Sequence, residues 1–277
     1  MTTASPNAKR RLRVYLTVFI VLCVFSLFSG RIAPHDAELV DLLAAKQPPC
    51  GDYPMGTDWL GRCIFSRILA GASSSIFASL VIVALSMLIG CTLGLVSGFA
   101  GGRVDEIMMR VVDIFLAFPG IVLSLAVAGM LGPGIKNGVL ALAATSWTQY
   151  ARLIRSYVLS IRQENYVKAA RLNGQSGISV LLRHVLPNAI RPVAVTGTLH
   201  LSSAMLSISG LSFLGLSSSS AEWGSMLSEG RSLMQQCPWM VLYPALAIFL
   251  VTVLFNLLGD SVRDVLDPGG NTGTLRK

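Results

Sequence analysis

The amino-acid sequence predicts an all-α polytopic membrane protein with six transmembrane helices, on three observations. Hydrophobic residues make up 53% of the 277-residue chain and charged residues only 13%, about half the charged share of a soluble domain. Six stretches carry no charge, and all but the fourth reach the roughly 17 to 25 residues that a helix needs to cross the hydrocarbon. Basic residues are concentrated in every second segment that connects these stretches. The stretches are 14–30, 68–102, 114–135, 137–151, 192–221 and 232–259.

The first stretch follows a polar N-terminal tail, residues 1–13, with four basic residues. A secretory signal peptide also has a basic start, but its cleavage site carries small residues in an A-x-A-like pattern. The segment Phe25–Gly30 lacks that pattern. We therefore expect residues 14–67 to form a retained transmembrane anchor followed by an outer segment.

Residues 68–262 are predicted to form a transmembrane core of five further helices. Pro119 and Gly120 predict a kink in the third span, and the run 132–134 predicts the turn to the fourth. The fourth stretch is short, but Arg152 and Arg155 follow it and can extend it by reaching to the interface.

Charge asymmetry predicts the orientation of the chain. With six spans, 16 of the 22 Lys and Arg residues fall in 1–13, 103–113, 152–191 and 260–277, and short basic connections lie on the cytoplasmic side. Both termini, including a C-terminal tail at 263–277, are therefore predicted to be cytoplasmic. The excess charge indicates contact with membrane lipids, and we expect no nucleic-acid partner.

The connection 152–191 is too regular for a loop. It carries seven basic residues, one acid, and apolar residues at helical spacing on both sides of Gly174. This pattern predicts a helical hairpin outside the membrane. Two interpretations stay open: an amphipathic hairpin lying on the lipid surface, and a docking surface for a cytoplasmic partner.

The hairpin carries a recognisable motif. The segments Tyr166–Gly174 and Arg183–Asn188 together resemble the EAA loop of ABC importer permeases, whose form is E-A-A, three residues, G, nine residues, I-x-L-P. The matching positions are Ala169, Ala170, Gly174, Leu186 and Pro187; Lys168 replaces the acid and His184 the isoleucine. The resemblance implies that these seven residues couple the membrane helices to an ATPase.

Three further strings resemble the dipeptide, oligopeptide and nickel branch of these permeases, specifically its C-type subunit. They are Met55–Arg67, Glu222–Leu227 and Asn256–Pro268; the family usually has Asp where Cys63 stands. The resemblance implies the type I importer permease fold, a second homologous permease subunit, one or two cytoplasmic ATP-binding subunits and an extracytoplasmic binding protein. The chain itself contains no G-x-x-x-x-G-K-[ST] phosphate loop, so we expect a transport subunit without an ATPase site, catalytic residues or cofactor.

The cargo is predicted less sharply. The segment Arg171–Gly174 and the run from Ala221 resemble the nickel branch more than the peptide branch, so nickel or a metal chelate is preferred and a small peptide is the alternative. His200 is the only histidine at membrane depth and is a candidate for the pathway, or a neutral hydrogen-bonded residue. Because one imidazole is a poor site for nickel, no metal ligands are assigned and any metal is expected to cross as a chelate.

Two other function classes lack support in the sequence. A membrane enzyme would carry motifs such as H-E-x-x-H or G-x-S-x-G, which are absent, and a channel or scaffold does not require a docking hairpin. Glu222 and Trp223 suit either a contact with the binding protein or an interfacial anchor. Asp113 and Asp260 are expected to pair with Arg110 and Arg263. A disulfide among Cys50, Cys63 and Cys237 is chemically possible but not implied.

Overall fold

The computed structural model describes residues 5–216 and 221–266, which form ten α-helices. Short 3₁₀ turns occur at Leu42–Ala44 and Arg231–Leu233, and π-helical turns at Leu181–Val185 and Ser212–Leu216. The described residues contain no strand beyond a single bridge between Thr57 and Cys63. The helices are α1 Pro6–Ile32, α2 Ile64–Ala100, α3 Gly102–Leu116, α4 Gly120–Leu131, α5 Ile135–Arg162, α6 Asn165–Leu172, α7 Gly177–Val180, α8 Leu186–Leu211, α9 Trp223–Gly230 and α10 Trp239–Leu266.

Each of the six predicted spans corresponds to a helical segment. Within the described residues, four segments are long and apolar enough to cross a membrane: α1, α2, the continuous run Gly177–Leu216 that contains α8, and α10. The bent pair α3 and α4 passes the same test together. The remaining segment, α5, corresponds to the fourth predicted span. It has 28 residues but is more polar and does not pass that test. It packs along α2 in the most extensive helix pair of the bundle.

The first helix begins before the predicted boundary. Ser5 is its N-cap, and the Ser5 hydroxyl accepts a hydrogen bond from the backbone N–H of Ala8 at 3.2 Å. Pro6 occupies the first helical turn, where its missing N–H is not needed. Residues 6–13, expected to be a tail, are therefore helical. At the other end α10 continues to Leu266, and the rest of the predicted C-terminal tail lies outside the described residues.

The third span is broken rather than kinked. The axes of α3 and α4 differ by 88°. Residues 114–116, which were predicted to begin the third span, therefore belong to α3, and the rest of that span forms α4. Pro119 has no N–H to donate and disfavours helical geometry at Phe118, which explains the break. Arg155 on α5 fixes α3 across the bundle because its Nε and Nη2 donate to the carboxylate of Asp105 at 2.5 and 2.6 Å.

Three glycines spaced four residues apart allow α2 and α5 to approach closely. A Cβ atom added at Gly90 would lie 2.3 Å from the Trp147 carbonyl oxygen, and one at Gly94 would lie 2.3 Å from that of Ala151. At Gly98 the added atom would meet the side chain of Val158 at 2.9 Å. Small residues on one helix face permit this kind of backbone contact in membranes, so α2 and α5 form the centre of the bundle.

The two ends of the bundle differ in structure. At the first, which we call the hairpin end, Arg162 Nη1 donates to the Gly98 carbonyl at 2.8 Å, so α5 finishes beside the end of α2. The segment 163–187 follows there. At the second, the opposite end, lie the segment 33–63, the turn at 132–134 and α9. All five cysteines are free thiols in the described structure, including Cys50, Cys63 and Cys237.

Candidate functional site

The segment after α5 forms the predicted helical hairpin. Helix α6 ends at Leu172, and Gly174 follows with a φ of +76°. The N–H of Gln175 donates to the carbonyl of Ala170 at 3.2 Å, which is the bond of a Schellman C-cap. Ser176 then caps α7, its hydroxyl accepting from the N–H of Ser179 at 3.3 Å. Gly174 is placed where a left-handed residue is required.

One face of the hairpin is anchored in the bundle and its tip is exposed. Val167 of α6, Val180 of α7 and Val185 in the π-helical turn are all fully buried against the end of α5. Beyond them, Leu172 and Ile178 are 88% and 70% exposed. A rigid base therefore presents an apolar tip to the outside, which is unusual for a surface turn unless another molecule covers it.

Polar side chains tie the two arms of the hairpin together. His184 Nε2 donates to the side-chain oxygen of Gln175 at 3.1 Å, which joins the π-helical turn to the tip. Asn188 Nδ2 donates to the hydroxyl of Tyr166 at 3.3 Å and to the carbonyl of His184 at 2.8 Å. The histidine that replaces the motif isoleucine thus holds the turn by a hydrogen bond, a contact that an isoleucine lacks.

The remaining motif residues occupy both faces. Lys168 and Ala169 are exposed on α6, whereas Ala170 is buried. Leu186 is half-buried and Pro187 exposed in the first turn of α8. Since Pro187 has no N–H to offer the carbonyl four residues earlier, it accounts for the π-helical turn before it. All seven predicted coupling residues lie on this one hairpin.

The predicted pathway residue lies apart from the hairpin. His200 is on α8, half-buried, and its Nδ1 is hydrogen-bonded to the hydroxyl of Tyr150 on α5 at 2.8 Å. The described residues contain no group of three or more His, Cys, Asp or Glu side chains placed to hold a metal ion. The geometry thus shows a histidine with one polar partner between two central helices.

Glu222 and Trp223 are not on the surface, so both roles considered for them from the sequence are wrong. Glu222 is fully buried and its carboxylate accepts from the hydroxyl of Ser212 at 2.6 Å. Trp223 is 3% exposed, and its indole N–H donates to the carbonyl of Ile68 at 2.9 Å. Helix α9 is inserted against α2 and α8, which its small residue Gly224 allows.

A cluster of four charged residues at the opposite end, three of them buried and Glu229 half-buried, was not predicted. Asp58 accepts from Arg62 Nε at 2.6 Å and from Arg67 Nη1 at 2.7 Å. Glu229, in the last turn of α9, accepts from the same two guanidinium groups at 2.6 and 2.7 Å. Three of the four belong to the string Met55–Arg67. The charged residues of that motif therefore have a structural role, which the sequence alone did not reveal. A cavity of about 530 Å³ borders Glu229.

Neither ion pair expected at the hairpin end forms within the described residues. Asp113 pairs with Arg152 of α5 at 2.5 Å, and Arg110 with Glu106 at 3.2 Å. Asp260 forms no ion pair within the described residues. The break after α3 turns Asp113 toward α5, which explains why its partner lies 39 positions away rather than three.

Known proteins resemble the chain in sequence and fold. Residues 90–270 match the family described as binding-protein-dependent transport system inner membrane component. The chain is 42% identical over 253 residues to the probable D,D-dipeptide transport system permease protein of Escherichia coli (strain K12), covering 91% of this chain and 85% of that protein. It is 38% identical over 264 residues to the nickel transport system permease protein of the same strain, covering 95% of each.

A solved structure shares the fold. The inward-facing MetNI methionine ABC transporter superposes with a TM-score of 0.59 at 16% identity, covering 72% of this chain and 95% of that one. The bundle thus has the type I importer permease fold. With the family match and the two relatives, this shows that the chain belongs to the binding-protein-dependent transport system inner membrane components and is a permease subunit of an ABC importer.

Proposed function

We propose that the hairpin docks on a cytoplasmic ATP-binding subunit and transmits its movements to the membrane helices. The observation that carries this proposal is the contrast between the buried base and the exposed tip, with Val180 and Val185 at 0% and Leu172 at 88% exposure. A segment that only bordered water would not need such an anchored apolar tip. Lys168, Ala169, Ala170, Gly174, His184, Leu186 and Pro187 form this coupling site.

The connection between tip and membrane supports a lever. From Gly177 to the end of α8 at Leu211 the chain is one continuous helical run, which includes the π-helical turn at Leu181–Val185. On the other side only residues 163 and 164 separate α6 from α5. A displacement of the tip therefore reaches α8 along a continuous helical run and reaches α5 through a connection of only two residues. His200, on the same run as Pro187, is the proposed pathway residue moved in this way.

The remaining partners are proposed from the membership in this family. The chain forms half of the translocation pathway, a second homologous permease subunit forms the other half, and an extracytoplasmic binding protein delivers the cargo. One or two ATP-binding subunits hydrolyse ATP. Both chain termini and the hairpin end face the cytoplasm, which the basic residues at that end support.

For the cargo we propose a nickel chelate. The relative named as a nickel permease aligns over 95% of both chains, and the strings at Arg171–Gly174 and Ala221 resemble that branch. A small peptide is the second candidate, favoured by the 42% identity to a D,D-dipeptide permease. The two candidate cargoes are distinguished by deleting the gene and measuring the uptake of radiolabelled nickel and of a radiolabelled dipeptide. Normal nickel accumulation with lost dipeptide uptake would select the peptide.

The docking proposal is tested by a matched pair of substitutions. Leu172→Glu places a charge at the exposed tip and should abolish co-purification of the ATP-binding subunit. Leu43→Glu is the control, because Leu43 is 96% exposed at the opposite end and should leave co-purification unchanged. Lys168→Glu restores the usual acidic residue of the motif and should also be tolerated. Retained co-purification in Leu172→Glu would refute docking at the tip.

A further inference from the structure

A second cavity, at the hairpin end of the bundle, lies beside the coupling site. None of the seven coupling residues lines it. Helices α5, α8 and α10 enclose a volume of about 520 Å³. Arg191 and Asn188 of α8 and Arg263 of α10 line it, together with Tyr157 on α5. Three separate helices therefore contribute polar groups to one cavity, and two of these groups are guanidinium ions.

The positive charge in this cavity is not balanced by the described part of the chain. Arg110, Arg152 and Arg155 at the same end form ion pairs, whereas neither Arg191 nor Arg263 pairs with a carboxylate in residues 5–216 and 221–266. Asp260 and Asp264 flank Arg263 in sequence, but neither lines the cavity. Arg191 and Arg263 are both exposed and line the same cavity, and two guanidinium groups at one cavity can bind an oxyanion.

Polarity changes with depth along α8. A helix rises about 1.5 Å per residue, so Val195 and Leu199 lie roughly 6 and 12 Å further into the bundle than Arg191. With Pro192 they form the apolar part of the inner wall, next to Thr196, whose hydroxyl donates to the carbonyl of Pro192 at 3.0 Å. On α10 the only described cavity residue beyond Arg263 is Leu266, so the arginines lie at the level where the spans end.

We propose that this cavity binds an anionic phospholipid, with the phosphate between Arg191 and Arg263 and an acyl chain along Val195 and Leu199. A basic rim at the depth of the lipid phosphates, over an apolar wall, matches the profile of that ligand, and basic pockets between spans bind such headgroups. Because α8 carries Pro187 one turn before Arg191, the bound lipid would brace the joint between hairpin and span.

The test measures lipid binding and does not depend on transport. The full-length permease, with the partners it co-purifies with, is titrated in detergent with dioleoyl phosphatidylglycerol and followed by native mass spectrometry. A single Arg191→Gln or Arg263→Gln change should weaken binding about fivefold, and the pair about twenty-five-fold. Arg103→Gln, an exposed arginine at the same end, should bind as the wild type does. Dioleoyl phosphatidylcholine should bind more weakly than dioleoyl phosphatidylglycerol to the wild type and to Arg103→Gln, and the double variant should lose this preference.

Four results would overturn the proposal. The first is unchanged phosphatidylglycerol binding in the double variant, and the second is an equal loss in Arg103→Gln, which would indicate general surface charge. The third is displacement of the lipid by equimolar glycerol phosphate, which would indicate a free phosphate site. The fourth is displacement by a dipeptide, which would place the cavity in the translocation pathway. Thermal unfolding checks each variant, and the single substitutions replace the double one if it unfolds.

Discussion

The substitution Gly174→Asp separates the role of the hairpin from the integrity of the bundle. Gly174 has a φ of +76° and no atom within 4 Å of the position where a Cβ would be added. The change therefore causes no clash. Its cost is the left-handed backbone, about 1–2 kcal/mol for an ordinary residue and at the lower end for Asp and Asn, which adopt this conformation more readily.

A cost of this size acts locally. It is small beside the roughly 5–15 kcal/mol that stabilise a folded domain, so the protein should insert normally. It shifts the balance between the ordered and disordered tip by about fivefold to thirtyfold, since 1.4 kcal/mol corresponds to a factor of ten. Gly174→Asn carries the same strain without charge and should reduce uptake partially. Gly174→Asp adds a charge at the proposed interface and should abolish uptake.

The matched control is Gly102→Asp. Gly102 also has a positive φ, +57°, and no atom within 4 Å of an added Cβ, and it lies at the hairpin end but outside the hairpin. Membrane abundance, co-purified ATP-binding subunit and cargo uptake are measured for all three variants. Wild-type uptake by Gly174→Asp, or an equal loss in Gly102→Asp, would refute a coupling role for the hairpin.

Three further predictions concern orientation and the opposite end. Cys50 is exposed, so a membrane-impermeant thiol reagent should label it in intact spheroplasts and should not label an Asn7→Cys variant lacking the native cysteines; the reverse pattern would invert the orientation. Arg67→Met leaves the carboxylates of Asp58 and Glu229 short of one partner and should lower the free energy of unfolding by about 3–5 kcal/mol; thermal unfolding in detergent within 1–2 °C of the wild type would contradict this. Cys63 is the N-cap of α2 and its side chain makes no capping hydrogen bond. The substitution Cys63→Asp, which introduces the residue usual in the family, should therefore raise the free energy of unfolding by about 0.5–2 kcal/mol. A lower unfolding temperature than that of Cys63→Ser would count against this prediction.

The candidate site was predicted from sequence because its signals are local. The turn at Gly174, the apolar spacing around it and the motif through Pro187 all lie within about twenty consecutive residues. A left-handed glycine followed by a capping serine determines a hairpin without help from distant parts of the chain. The same holds for the spans, since the absence of charge over a stretch reflects the lipid around it and not its neighbours.

Contacts between distant segments were not predictable in this way. Glu229 meets Arg67 across 162 positions, and Asp113 meets Arg152 rather than the nearby Arg110. The 88° break after α3 and the insertion of α9, which buries Glu222, redirect side chains whose composition suits a surface. Composition and spacing thus determined which segments enter the membrane and where the chain turns. The packing of α2, α5 and α9 decided which charges meet, because burial requires each charge to find a partner and only the assembled bundle brings the partners together.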